Sequence, residues 1–146
     1  MRVEQVVRLD PPPGWCIRSW KDGEDLTACR LEDRETDLSL LPVSFSVTCH
    51  PTTQGMEEFV EALMRRRVPR GLPDRWPDHI GPYLCTCNHW TDGVTDILSW
   101  FMRPAPGMVC EVRACGFLWE SPRAGHVATL FESRLRWIAG AGDPNV

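Results

Sequence analysis

The residues best suited to chemistry in this chain fall in one short run, Cys85-Thr86-Cys87-Asn88-His89. On a strand, residues two apart face the same way, about 7 Å per step. Cys85, Cys87 and His89 would then line one side of it. Thiolates and imidazole are natural zinc ligands, and Cys49, His50, Cys110 or Cys115 on a neighbouring strand is a candidate fourth ligand. Against this, structural zinc sites separate paired cysteines by two to four residues, not by one. Free cysteine is also among the most buried residue types. The run therefore reads more readily as core thiols beside a hydrogen-bonded histidine than as a metal site. The zinc reading predicts stoichiometric metal in purified protein.

Other chemistries find less support. Cys49 and His50 are adjacent, so on a strand they point to opposite faces and cannot pair. A cysteine nucleophile would need His79 or His89 brought to it by the fold, and would show a depressed thiol pKa. Ser99 and Ser121 lack the Gly-x-Ser-x-Gly setting of a nucleophile elbow. Asp74, Asp78, Asp92 and Asp96 are scattered, and the last two flank a turn signal. Gly140-Ala141-Gly142 follows a helix, whereas a dinucleotide fingerprint precedes one. No catalytic residue is assigned.

The elements that would position these residues are legible from periodicity. Strand patterns cover Val3 to Leu9, Trp15 to Trp20, Leu26 to Leu31 and Leu38 to Cys49. In the last, Val43, Phe45 and Val47 alternate with Ser44, Ser46 and Thr48, as on a half-buried sheet. A helix follows over about 54–67: Met56, Phe59, Val60 and Leu63 recur at helical spacing, acids open it, and Arg65-Arg66-Arg67 close it, as the helix dipole favours. Arg70 to Pro82, rich in Pro, Gly and Trp, reads as a long surface loop. Tyr83 to Trp90 and Val94 to Met102 form a hairpin around Asp92-Gly93, and Met108 to Leu118 is the last strand. Val127, Leu130, Phe131, Leu135 and Ile138 then share a helical face, giving a closing helix over about 125–139 that Gly140 ends. The expected fold class is α+β, a twisted antiparallel sheet of about six or seven strands with two amphipathic helices.

Size and composition narrow the function. The chain has 146 residues, 42% hydrophobic and 25% charged, which is ordinary for one globular domain spanning 1–146. A net charge of −4 lacks the basic footprint of a nucleic-acid binder. No apolar run reaches membrane-span length, and the N-terminal MRVEQVVRLD has no signal-peptide core. The expectation is a cytoplasmic protein that engages neither nucleic acid nor membrane. Its seven cysteines are then expected to be thiols, and an odd number prevents complete internal pairing. Lys21 is the single lysine among 16 basic residues, a skew typical of GC-rich bacterial coding.

Pro11-Pro12-Pro13-Gly14-Trp15, the strand around Val43 to Val47, the helix Met56 to Leu63 and Phe131-Glu132-Ser133-Arg134-Leu135 together resemble the PsbP-like fold. That group includes the photosystem extrinsic subunit, Ran-binding Mog proteins, DcrB-like lipoproteins and type VI secretion effector chaperones. The cysteines and the Arg70 to Pro82 segment depart from its pattern, as does the lack of the lipobox cysteine of the DcrB lipoproteins. The family has no shared active site, so the resemblance implies a binding scaffold without catalytic residues. Seven tryptophans are many for this length. Exposed Trp and Arg dominate protein interfaces. Arg70, Arg75 and Trp76 in the loop and Trp90 at a hairpin end are therefore the interface candidates. The favoured reading is a non-enzymatic protein-binding module: a bacterial cytosolic adaptor, secretion-effector chaperone or immunity protein. A zinc protein using Cys85, Cys87 and His89 is the alternative, and a cysteine-dependent enzyme the second.

Overall fold

The Val43–Val47 alternation builds a strand, Ser44–Pro51, in the middle of a seven-stranded antiparallel sheet. The computed structural model describes residues 2–71, 73–120 and 123–138. In chain order the strands are β1 (Val7–Leu9), β2 (Trp15–Trp20), β3 (Asp25–Arg30), β4 (Ser44–Pro51), β5 (Asp74–Ile80), β6 (Tyr83–Thr91), β7 (Thr95–Ala105), β8 (Met108–Phe117) and β9 (Leu135–Trp137). The helices are α1 (Met56–Arg67) and α2 (Arg123–Phe131). The large sheet runs β2-β3-β4-β8-β7-β6-β5, and β1 pairs separately with β9. The α+β expectation holds.

Register decides what each face carries. Phe45, Val47, Val112, Ala114, Trp100, Met102 and Cys87 fall on one face and form the main core with α2 and the β1–β9 pair. Phe131 of α2 stacks on Phe45 at 4.6 Å and meets Trp15 edge-on at 5.1 Å. Aromatic pairs of this kind strengthen a core beyond the area they bury. The opposite face carries Thr27, Ser46, Thr48, Glu111 and Ser99, and these are buried too. The half-buried sheet expected for β4 is thus buried on both sides. α1 covers part of the polar face, packing Val60, Leu63 and Met64 on Phe101 and Val109.

Three expectations need correction. Arg70 to Pro82 is not all loop: Asp74–Ile80 forms edge strand β5, in register from Asp74↔His89 to Ile80↔Tyr83. Pro77 masked it, yet proline is tolerated on an edge strand, where an N–H can be dispensed with. Gly81 then turns the chain at φ +59, where a Cβ would lie 2.5 Å from the Glu132 carbonyl oxygen. The closing helix stops at Phe131 instead of running to 139, because Leu135–Trp137 pairs with β1. Spacing of four residues between Phe131 and Leu135 fits a helix, but Leu135 and Trp137 also alternate around exposed Arg136; tertiary pairing chose the second pattern. Gly140 and the tail lie outside the described residues. Val3–Gln5 and Leu38–Leu40 are short 3-10 turns, not strand ends.

Candidate functional site

A cluster of charged side chains lies on the polar face, beneath the end of α1. Glu111 of β8 is fully buried. Arg67, in the last turn of α1, grips it with both arms, Nη1 to Oε2 at 2.5 Å and Nη2 to Oε1 at 2.9 Å. His50 of β4 approaches Oε1 through Nε2 at 3.2 Å. The Arg67 guanidinium also lies 5.3 Å from the centre of the Trp90 ring, whose Nε1 donates to Ser99 Oγ at 3.0 Å. Burial alone would raise the Glu111 pKa; the His50 contact, the charge of Arg113 and the Arg67 fork outweigh it and hold the carboxyl well below its usual range. A carboxylate with both oxygens engaged and no exposed surface is a poor general base. Asp25 is buried nearby on β3, with Lys21 Nζ at 3.3 Å from Oδ2 in an ion pair that lacks hydrogen-bond geometry.

The proposed zinc ligands share a face of β6 but do not converge. Cys87 is packed in the main core opposite Trp100. Cys85 Sγ donates to the Asp78 carbonyl at 3.5 Å, and His89 turns to the Asp96 carboxylate. Burial, reinforced by the Asp78 charge, pushes the Cys85 thiol up to about 12 and Cys87 up as well. Three of the four candidate fourth ligands are engaged elsewhere: Cys49 faces Cys110, while His50 faces Glu111 on the neighbouring strand. Among the described residues no three His, Cys, Asp or Glu side chains are placed to hold a metal ion. Steps of about 7 Å along one strand are too long for ligands that must each reach within about 2.3 Å of one ion. Among the described hydrogen bonds, no cysteine meets a histidine. The scattered aspartates have structural partners: Asp92 Oδ1 accepts from the Val94 and Thr95 amides, and Asp78 Oδ2 accepts from Trp100 Nε1.

Open space is found at the other end of β7. The β6–β7 ladder runs from Thr91↔Asp96 to Thr86↔Phe101 and stops there. Tyr83–Cys85 stays with β5, whereas β7 shifts register after Met102 and rejoins β8 at Ala105↔Met108. Pro104 has no N–H with which to continue a ladder. The two hairpins part, and a cleft of about 840 Å³ opens between them. That is the size of a small-ligand or side-chain-binding pocket. Tyr83, Leu84, Phe101, Met102, Ala105 and Trp137 give it a largely apolar wall. The main-chain amide of Trp137 donates to Tyr83 Oη at 2.9 Å, and Trp137 Nε1 lies 3.1 Å from Met102 Sδ, which fixes that wall. Leu84 stands 73% exposed. Arg103 carries the only formal charge among the described lining residues; it is anchored on the carbonyls of Thr52, at 3.2 Å, and Gln54.

The predicted interface residues divide. Trp76 is 36% exposed on edge strand β5, beside Arg75, whose Nε donates to Asn88 Oδ1 at 2.9 Å. Arg70 is exposed before β5. Trp90, by contrast, is half-buried beneath Arg67 and packs against the α1 cluster. Leu84 escaped the sequence reading: an apolar residue alternating with cysteines looks like any other inward strand residue. The prolines at 82, 104 and 106 were the available signal that the ladder ends there.

No known protein family matches the chain, and no curated protein matches it. Solved structures do. One from Bacteroides thetaiotaomicron is 9% identical with a TM-score of 0.56, over 90% of this chain and 45% of its own. LpqN of Mycobacterium tuberculosis, involved in cell envelope biogenesis, is 9% identical with a TM-score of 0.49, over 90% of this chain and 82% of its own. This chain thus spans less than half of the Bacteroides structure. At such identity the likeness shows a known fold and no more. No helix among the described residues is long and apolar enough to cross a membrane.

Proposed function

We propose that this chain is a non-enzymatic protein-binding module whose cleft between β6 and β7 takes an extended, largely apolar segment of a partner protein. The observation that carries this reading is the interrupted ladder: over Tyr83–Cys85 the β6 edge that would face β7 has no strand paired to it. An unpaired strand edge beside apolar pockets is the setting for main-chain recognition of an extended peptide. Arg103 on the wall favours a segment that also carries a carboxylate. Arg75 and Trp76, on the outer strand of the same hairpin, extend the contact surface. The resemblance to the PsbP-like fold, a scaffold without a shared active site, agrees with this role. Its concrete form would be a bacterial cytosolic adaptor, secretion-effector chaperone or immunity protein.

A random peptide library displayed on phage tests the reading. Selection on the native protein should enrich apolar sequences containing Asp or Glu. Leu84→Glu, at an exposed position that tolerates a charge, should abolish the enrichment. Equal enrichment on both proteins, or none on either, would contradict the proposal.

A further inference from the structure

Four of the seven cysteines stand in two directly opposed cross-strand pairs, Cys16↔Cys29 in β2–β3 and Cys49↔Cys110 in β4–β8. All are free, with Sγ–Sγ separations of 3.6 Å and 3.1 Å. Opposed residues on antiparallel strands have Cα atoms about 4.5–5.5 Å apart, within the span a disulfide bridges. The pairs differ in access. Cys49 and Cys110 are 5% and 0% exposed, sealed between central strands. Cys29 is also buried, but Cys16 is only half-buried on β2, an outer strand of the sheet. Arg18, two residues on and on the same face, is anchored by the Thr36 carbonyl at 2.7 Å.

We propose that Cys16 and Cys29 form a redox modification site, a cross-strand dithiol that a low-molecular-weight disulfide of the glutathione class oxidises to an intramolecular bond. The Cys16 thiolate attacks one sulfur of the small disulfide, forming a mixed disulfide and expelling one thiolate. Cys29, on losing its proton, attacks the Cys16 sulfur, forms the protein disulfide and expels the second thiolate. The two protein thiol protons end on the two released thiols. The protein loses two electrons and the small disulfide gains them. Burial and the neighbouring Cys16 push the Cys29 thiol up to about 11, with Arg18 opposing the rise, so the more accessible Cys16 reacts first and Cys29 resolves. The Arg18 charge also draws an anionic oxidant such as glutathione disulfide toward the pair.

The test treats the native protein with glutathione disulfide, blocks residual thiols and maps peptides by mass spectrometry without reduction. The Cys16 and Cys29 peptides should be joined, with the protein lighter by two hydrogens. Cys29→Ser should hold one glutathione on Cys16, and Cys16→Ser should take up none at the pair, with near-UV circular dichroism confirming that each variant is folded. If Cys29→Ser fails to fold, the wild-type map alone decides. A bond at Cys49–Cys110 instead, a glutathione adduct on wild-type Cys16 that never resolves, or Cys16 remaining reduced would overturn the proposal.

Discussion

Two regions on strands β7 and β8 divide the properties that an enzyme site must combine. The Glu111 cluster gathers a carboxylate, an imidazole and two guanidinium groups, but it is closed, and each Glu111 oxygen is spoken for. The cleft at the far end of β7 is open, yet its wall is largely apolar and the Cys85 thiol beside it is pushed up to about 12. Chemistry without access holds a fold together; access without chemistry suits binding. That separation supports the binding role proposed above, and it can be broken or sharpened by treating each region on its own.

The largest effect should come from the closed region. Arg67→Ala strips buried Glu111 of its two-armed partner and leaves it only His50 and the charge of Arg113, which costs up to about 3–5 kcal/mol, read as a lower urea midpoint. Replacing both partners, Arg67→Met with Glu111→Leu, should cost less, because the buried carboxylate goes with its two-armed partner, although Arg113 then loses the Glu111 charge beside it. A double replacement as damaging as Arg67→Ala would show that the pair does more than compensate itself. Acid should act through the same group. The Glu111 carboxyl titrates lower in the folded chain than in the unfolded one, where it sits near 4.3. Its contribution is therefore complete above about pH 4.3 and drains away as pH falls toward the folded value. Glu111→Gln should remove that part of the acid slope in urea titrations at stepped pH.

The open region should respond in the opposite sense. Leu84→Glu should weaken a selected peptide about tenfold or more, roughly 1.4 kcal/mol. Its unfolding free energy should stay within about 0.5 kcal/mol of wild type, as for most exposed positions. A large stability loss would place Leu84 in the fold rather than in the site. Smallest of all, Trp76→Ala and Arg75→Ala should each weaken the peptide about threefold, roughly 0.7 kcal/mol, without unfolding the domain. Unchanged affinity in both would confine recognition to the cleft.

Sequence reading reached the sheet and the first helix because period-two and period-3.6 patterns are strong there: Val43, Phe45 and Val47 mark β4, and Val60 and Leu63 mark α1. It missed β5 because Pro77 argues against a strand unless the strand is known to be an edge, and that knowledge comes only from the assembled sheet. It over-extended α2 because Leu135 fits both periodicities and only pairing with β1 decides. The cysteine–histidine run was placed correctly on one face of β6, but shared direction is not convergence. The Glu111 cluster draws its members from β4, α1 and β8, far apart in sequence, and no local motif announces it. The cleft is defined by where two strands separate, which spacing along the chain does not encode.

The most direct measurement is an NMR titration of the labelled protein with a library-selected peptide. The account predicts that amide shifts concentrate at Tyr83–Cys85 and at 101–105, with little change around His50, Arg67 and Glu111. Shifts centred on the Glu111 cluster, or spread along β2 and β3 with the cleft silent, would contradict it.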